Sequence, residues 1–158
     1  MLLKSLISIY MTYKGRYKVK NYKKYKGDPT KVIYRSSWER AVFRYLDGNE
    51  DILEWNSESY VIPYRCRTDN RMHRYFVDIY FKYKSGKRFL VEIKPKYQTV
   101  PPKKPKRQTK KYLAEVNTYL KNVSKWEAAD RWAKDRGYHF QVWHEDTLRQ
   151  IGVKILKG

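Results

Sequence analysis

The sequence predicts an α/β fold, a sheet flanked by helices, and three observations predict it. Alternating aromatic and β-branched residues bounded by turn formers recur between Ile52 and Gln98, which is the period-2 pattern of strands. Apolar residues at helical spacing lie on either side, at Trp38, Val42, Tyr45 and Leu46 before the strands and at Leu113, Val116 and Leu120 after them. At 158 residues the chain suits one domain with a sizeable core.

In chain order, Met1 to Tyr10 is an apolar decapeptide with one lysine. It is too short to span a bilayer and has no small-residue cleavage site. Tyr13 to Lys31 holds eight Lys/Arg and one acid among interleaved tyrosines. Residues 1–31 are therefore expected to form a basic extension ahead of a single domain at 32–158. The extension is either a solvated, disordered arm or an arm that contacts nucleic acid, and the two are compatible.

Gly27-Asp28-Pro29 breaks this run, and Ser36-x-x-Glu39 matches a capping box opening the first helix. Asp47-Gly48-Asn49 ends it. Ile52 to Trp55 and Tyr60 to Arg65 read as strands, the second marked by Pro63 as an edge or bulged one. Glu58 between them reads as a surface acid.

The stretch from His73 to Gln98 then forms a hairpin around Lys84-Ser85-Gly86, with one acid in the middle of each half, Asp78 and Glu92. Residues two apart on a strand share a face, so Glu92 and Lys94 point the same way. The turn decides what Asp78 does. A three-residue loop with Gly86 in the left-handed position sets Asp78 directly opposite Glu92. A two-residue loop, Ser85-Gly86, places the acids on opposite faces and dissolves the site. Facing carboxylates repel unless a proton or cation lies between them, and a hard divalent ion such as Mg2+ is the usual partner of carboxylate oxygens. A neighbouring lysine can orient or deprotonate an attacking water. The plainer alternative is that both acids sit on a solvent-facing strand surface. His73, five residues before Asp78, reads as a phosphate or packing contact before a metal ligand.

After Lys94 the composition changes. Lys94 to Lys111 holds eight Lys/Arg, four prolines and no acid, so it is neither a central strand nor a helix interior. An exposed loop following a phosphate backbone is expected, with Lys103, Lys104, Lys106 and Arg107 as its contacts and Lys96 and Gln98 at its start, beside the presumed metal, where they could hold a substrate phosphate. A tether without contacts is the alternative. Beyond it, one helix carries Leu113, Val116 and Leu120. Ser124-x-x-Glu127 opens a second, with Trp126, Ala129 and Ala133, which Gly137 stops. Tyr138 to Trp143 reads as a late strand and Glu145 to Arg149 as a short terminal helix.

The totals bound the partner. Lys and Arg number 36 against 16 Asp and Glu, a formal charge of +20, far beyond what solubility needs, which points to a polyanion. Cys66 is the only cysteine, which excludes an internal disulfide and any cysteine zinc cluster and suits a reducing cytoplasm. His73, His139 and His144 show no zinc-type spacing. No internal repeat, Gly-rich nucleotide loop or nucleophile elbow is visible, which argues against ATP hydrolysis and covalent acyl chemistry.

Asp78, the hairpin and Glu92-x-Lys94, preceded by a helix bearing Glu39, resemble the PD-(D/E)XK nuclease superfamily. Four runs carry a narrower likeness: Lys24 to Pro29, Tyr34 to Glu39, Asn70 to Asp78 and Val91 to Lys96. They resemble the head completion nucleases of T4-like tailed phages, relatives of the TnsA transposase endonuclease. The likeness spans about Met11 to Gln98, which makes Met11 the expected family start, and Val77 stands where the superfamily name has Pro. The resemblance implies a restriction-endonuclease-like mixed sheet flanked by helices. It also implies an endodeoxyribonuclease using Mg2+ or Mn2+, with Asp78, Glu92 and Glu39 as metal ligands and Lys94 as the fourth catalytic residue. Glu39 enters that set through the resemblance, since the capping box alone accounts for it locally. DNA and phage head or neck proteins are the implied partners, with no membrane, in the host cytoplasm or the virion. A non-enzymatic DNA-binding factor of the virion head is the alternative reading.

Overall fold

The computed structural model describes residues 13–155; the apolar decapeptide and the start at Met11 lie outside them. The chain runs β1 (Gly15–Arg16), β2 (Ile33–Tyr34), α1 (Ser37–Gly48), β3 (Ile52–Ser57), β4 (Val61–Arg65), β5 (Met72–Phe76), β6 (Ile79–Tyr83), β7 (Arg88–Ile93), α2 (Lys110–Asp135), β8 (His139–Trp143) and α3 (Glu145–Gln150). The main sheet has the order β3-β6-β7-β8. It is mixed: β6 pairs antiparallel with β3 and β7, while β8 runs parallel to β7. The expected α/β architecture is therefore present.

Strand alternation divides the core. Ile79, Phe81, Val91 and Ile93 face α1, which buries Trp38, Val42, Phe43 and Leu46 against them. Tyr80 and Leu90 point the other way, toward Ala128 and Ala129 of α2 and toward Ile62, Tyr64 and Tyr75 of the β4–β5 ribbon. The sheet is thus covered on both faces, and α1 and the ribbon approach its end bearing Asp78 and Glu92 from opposite sides.

Three elements differ from expectation. The strand expected to run through from His73 breaks at Val77-Asp78: β5 leaves the main sheet and pairs only with β4, Val61 opposite Phe76 and Pro63 opposite Arg74. Pro63 sits on an edge, where its missing N–H costs no ladder bond. The two helices expected beyond the basic loop are one helix, because Ser124 does not cap. Its hydroxyl donates back to the Leu120 carbonyl at 2.9 Å and accepts the Arg67 N–H at 3.1 Å. The amino-terminal half of α2 is largely exposed, Leu113 and Leu120 included, so its apolar stripe is not core.

The third difference is the basic segment ahead of residue 32. Tyr17 and Val19 are buried in the α1-side core, and Tyr25 packs edge-on against Trp55 with ring centroids 4.8 Å apart. Buried Asp47 gathers this segment: its carboxylate accepts the Tyr17 hydroxyl at 3.1 Å, the Lys20 N–H at 2.7 Å and the Asn21 N–H at 3.1 Å. Lys24 Nζ then donates to the carbonyls of Leu46, Asp47 and Asn49 at 2.9, 3.1 and 2.6 Å. A lysine thereby satisfies the orphan acceptors of the α1 carboxyl end and complements its dipole. From Tyr17 to Tyr25 the segment is a packed part of the domain, not a detached arm.

Candidate active site

The hairpin turn has the three-residue form. Gly86 adopts φ +92°, which a side-chain-bearing residue rarely takes, and Tyr83 N–H donates to the Lys87 carbonyl at 2.9 Å. Ile79 therefore pairs with Val91, and one step further Asp78 faces Glu92. The strand break frees Asp78 from the ladder without loosening it. Its Oδ2 accepts the Ile93 N–H at 2.9 Å, and its backbone carbonyl accepts the Glu58 N–H at 3.1 Å.

Glu92 is buried, 4% exposed. Its Oε2 accepts the Tyr75 hydroxyl at 2.5 Å, and its Oε1 lies 3.6 Å from Lys94 Nζ, as their shared strand face requires. Glu39 enters from the first turn of α1. Ser36 caps that helix, accepting the Glu39 N–H at 3.0 Å, but the Glu39 carboxylate does not complete a capping box on Ser36 and instead accepts the Arg35 N–H at 2.9 Å. Arg35 in turn forms a two-point pair with Glu58, at 2.7 and 3.1 Å.

These acids feel one another. Burial raises the Asp78 carboxyl well above the usual carboxylate range, and the charges of Glu92 and Glu39 add to it against the Ile93 N–H and Lys94. Burial likewise pushes Glu39 up to about 7, aided by Glu58 and Glu92 and opposed by the Arg35 N–H and guanidinium. Burial comes first in both shifts, and converging negative charge adds to it. The donors are carboxylate oxygens, the set a hard divalent cation such as Mg2+ or Mn2+ prefers, and such an ion relieves the repulsion. The residues present fit that group.

Four neighbours of the site carry no functional assignment from the sequence. Tyr75 is one of many tyrosines, and only the ribbon's folding over the sheet carries its hydroxyl to Glu92. Lys125 comes from α2: its ammonium lies 5.5 Å from the Tyr75 ring centroid. Burial lowers its pKa against the pull of Glu92 and Asp78. Arg35 holds the Glu39 carboxylate through its N–H. Glu58, expected as a surface acid, sits at the rim, pairs with Arg35, and takes φ +52°.

The expected DNA contacts fall into two groups. Lys103, Lys104, Lys106 and Arg107 lie on the exposed stretch ahead of α2, as their composition suggested. Lys96 and Gln98 are engaged by other groups. Lys96 Nζ pairs with Asp146 at 2.9 Å and its N–H donates to Glu145 at 2.8 Å, while Gln98 Nε2 donates to the Tyr97 hydroxyl at 3.0 Å. Among the described residues no helix is long and apolar enough to cross a membrane.

Comparison with known proteins places the chain in a family. The model of the TnsA-like endonuclease N-terminal family matches residues 49–145, a span that includes Asp78, Glu92 and Lys94 and leaves Glu39 outside. The head completion nuclease of Enterobacteria phage T4 is 45% identical over 148 residues, covering 91% of this chain and 99% of that protein. On both counts the chain belongs to the TnsA-like endonuclease family and is a nuclease with the restriction-endonuclease-like fold.

Proposed function

We propose that this nuclease is a Mg2+-dependent DNA endonuclease, with Mn2+ able to substitute, that cuts packaged DNA during phage head completion and head-tail joining. The facing of Asp78 and Glu92 beside Lys94, with Glu39 converging from α1, carries the catalytic part of this reading. The head-completion part rests on the name of the phage T4 relative. Phage head or neck proteins are the corresponding partners, met in the host cytoplasm or the virion.

Asp78, Glu92 and Glu39 would hold the cation. When bound, it supplies positive charge that acidifies water and neutralises the charge building on the phosphate. The chain's own residues do the rest. Tyr75 fixes the Glu92 carboxylate through Oε2, leaving Oε1 toward Lys94. Lys94, its ammonium beside Glu92, orients the attacking water and stabilises the hydroxide formed as the proton leaves to solvent. Ile93 N–H and the Glu58 N–H fix the two ends of Asp78, so its carboxylate does not swing away. Lys103, Lys104, Lys106 and Arg107 bind the phosphate backbone without reading sequence.

Nicking of supercoiled plasmid with and without Mg2+ tests the reading, with a linear duplex alongside to separate internal cutting from trimming of ends. Mg2+-dependent nicking that disappears in Asp78→Asn is the expected result. Undiminished nicking by that variant overturns the site.

A further inference from the structure

The turn joining β4 to β5 assembles a donor set that the nuclease site does not use. Cys66 Sγ, an Asp69 carboxylate oxygen and a His73 ring nitrogen lie within 4.8 Å of one another. Each is held by the turn itself. Cys66 N–H donates to the Arg71 carbonyl at 2.9 Å and Asn70 N–H to the Cys66 carbonyl at 2.7 Å, a tight winding that puts Asn70 at φ +57°. The backbone N–H groups of Thr68 and Asp69 thereby point at the sulfur, and the Thr68 hydroxyl lies 3.0 Å from it. These contacts fix the position of the sulfur in the turn. Asp69 accepts the Arg71 N–H at 2.9 Å and faces His73 Nε2 at 2.7 Å. The His73 ring stacks on Tyr64, centroids 5.7 Å apart.

We propose that Cys66, Asp69 and His73 form a second cation site, selective for a borderline transition ion such as Zn2+, with a fourth position left to water. Sulfur, imidazole and carboxylate at Cys-x-x-Asp-x-x-x-His spacing make a donor set that Zn2+ accepts and Mg2+ does not favour. The arginines nearby are partly committed: Arg67 to Glu127 at 2.6 Å and Arg65 to the Asn70 carbonyl at 2.9 Å. Asp69 and His73 are each 41% exposed at the side chain, so they can part to admit an ion, while Cys66 is buried beneath them. Binding breaks the S–H bond, forms a sulfur–metal bond and releases one proton to solvent, with no change of oxidation state. The ion clasps the tip of the ribbon whose Tyr75, two residues beyond His73, holds Glu92.

Because Cys66 is the only cysteine, a thiolate-to-Co2+ charge-transfer band can come from nowhere else. Full-length Asp78→Asn protein, chosen to weaken competition from the carboxylate site, is titrated with Co2+ and then with Zn2+ or Mg2+. The band is expected to saturate at one equivalent, to vanish with Zn2+ and to persist with Mg2+. Asp69→Ala and His73→Ala, both at exposed positions, are each expected to weaken Co2+ binding at least about tenfold. Cys66→Ser should abolish the band. Absence of a band in protein that is folded by circular dichroism overturns the proposal, as does an affinity unchanged in both the Asp69 and His73 variants. Plasmid nicking reports on the other site, so the two readings fail separately.

Discussion

Glu39→Gln should make the metal-free protein more stable while removing its cleavage activity. The carboxyl has its pKa raised from 4.5 to about 7 in the folded chain, so the folded state holds this proton longer than the unfolded state does. Between those values folding binds protons, and stability falls as pH rises. Each unit corresponds to about 1.4 kcal/mol, which sets the metal-free cost of an ionised Glu39 at roughly 3 kcal/mol above pH 7. Glutamine keeps an oxygen for the Arg35 N–H and carries no charge at any pH. The expected gain is roughly 3 kcal/mol above pH 7 and near zero below pH 4.5. Urea denaturation of both proteins in EDTA, repeated from about pH 4 to 9, reads it directly. Parallel stability profiles would refute the electrostatic account. Full Mg2+-dependent nicking by the variant would show that Glu39 serves only the helix start.

Three further expectations follow from the geometry. Asp78→Asn and Glu92→Gln keep side-chain volume but remove the charge that holds a hard cation, so each should lose cleavage while gel-shift affinity for a duplex is retained; normal cutting by either contradicts the metal pair. Neutralising Lys103, Lys104, Lys106 and Arg107 together should weaken binding to all duplexes alike and flatten the slope of log K against log salt by up to about 4. An unchanged slope means the loop hangs free in solvent. Asp47→Ala strips the Tyr17 hydroxyl and the Lys20 and Asn21 N–H groups of their acceptor and should cost roughly 3 kcal/mol in a urea melt, whereas an exposed arm would lose nothing.

What was legible in the sequence is what local rules determine. Gly86 sets the turn, the turn sets the register, and the register brings Asp78 to Glu92. Ser36 announced α1 correctly because its hydroxyl accepts the Glu39 N–H. Ser124 carries the same Ser-x-x-Glu pattern and misled, since its hydroxyl is taken by Leu120 and Arg67 from the far ribbon. The break at Val77-Asp78 left no mark in a run of alternating apolar residues. With the break hidden, so was the ribbon that delivers Tyr75 and, on its other end, Cys66 beside His73. The basic segment ahead of residue 32 has the composition of a disordered arm, yet Tyr17, Val19 and Tyr25 carry enough apolar surface to anchor it. Composition averages over positions; burial does not.

The three-residue turn has a genetic consequence. No side chain of Lys84, Ser85 or Gly86 reaches the carboxylates, and substitutions at the first two should pass unnoticed in any screen for activity. Losing one codon from the same place is different in kind. The shortened turn must either strain or let one strand slide a step past the other, and a single step carries Asp78 from one face of the sheet to the opposite one. A screen of in-frame deletions should therefore find dead alleles where point mutations find none, and activity should return when a compensating codon is inserted between Gly86 and Arg88.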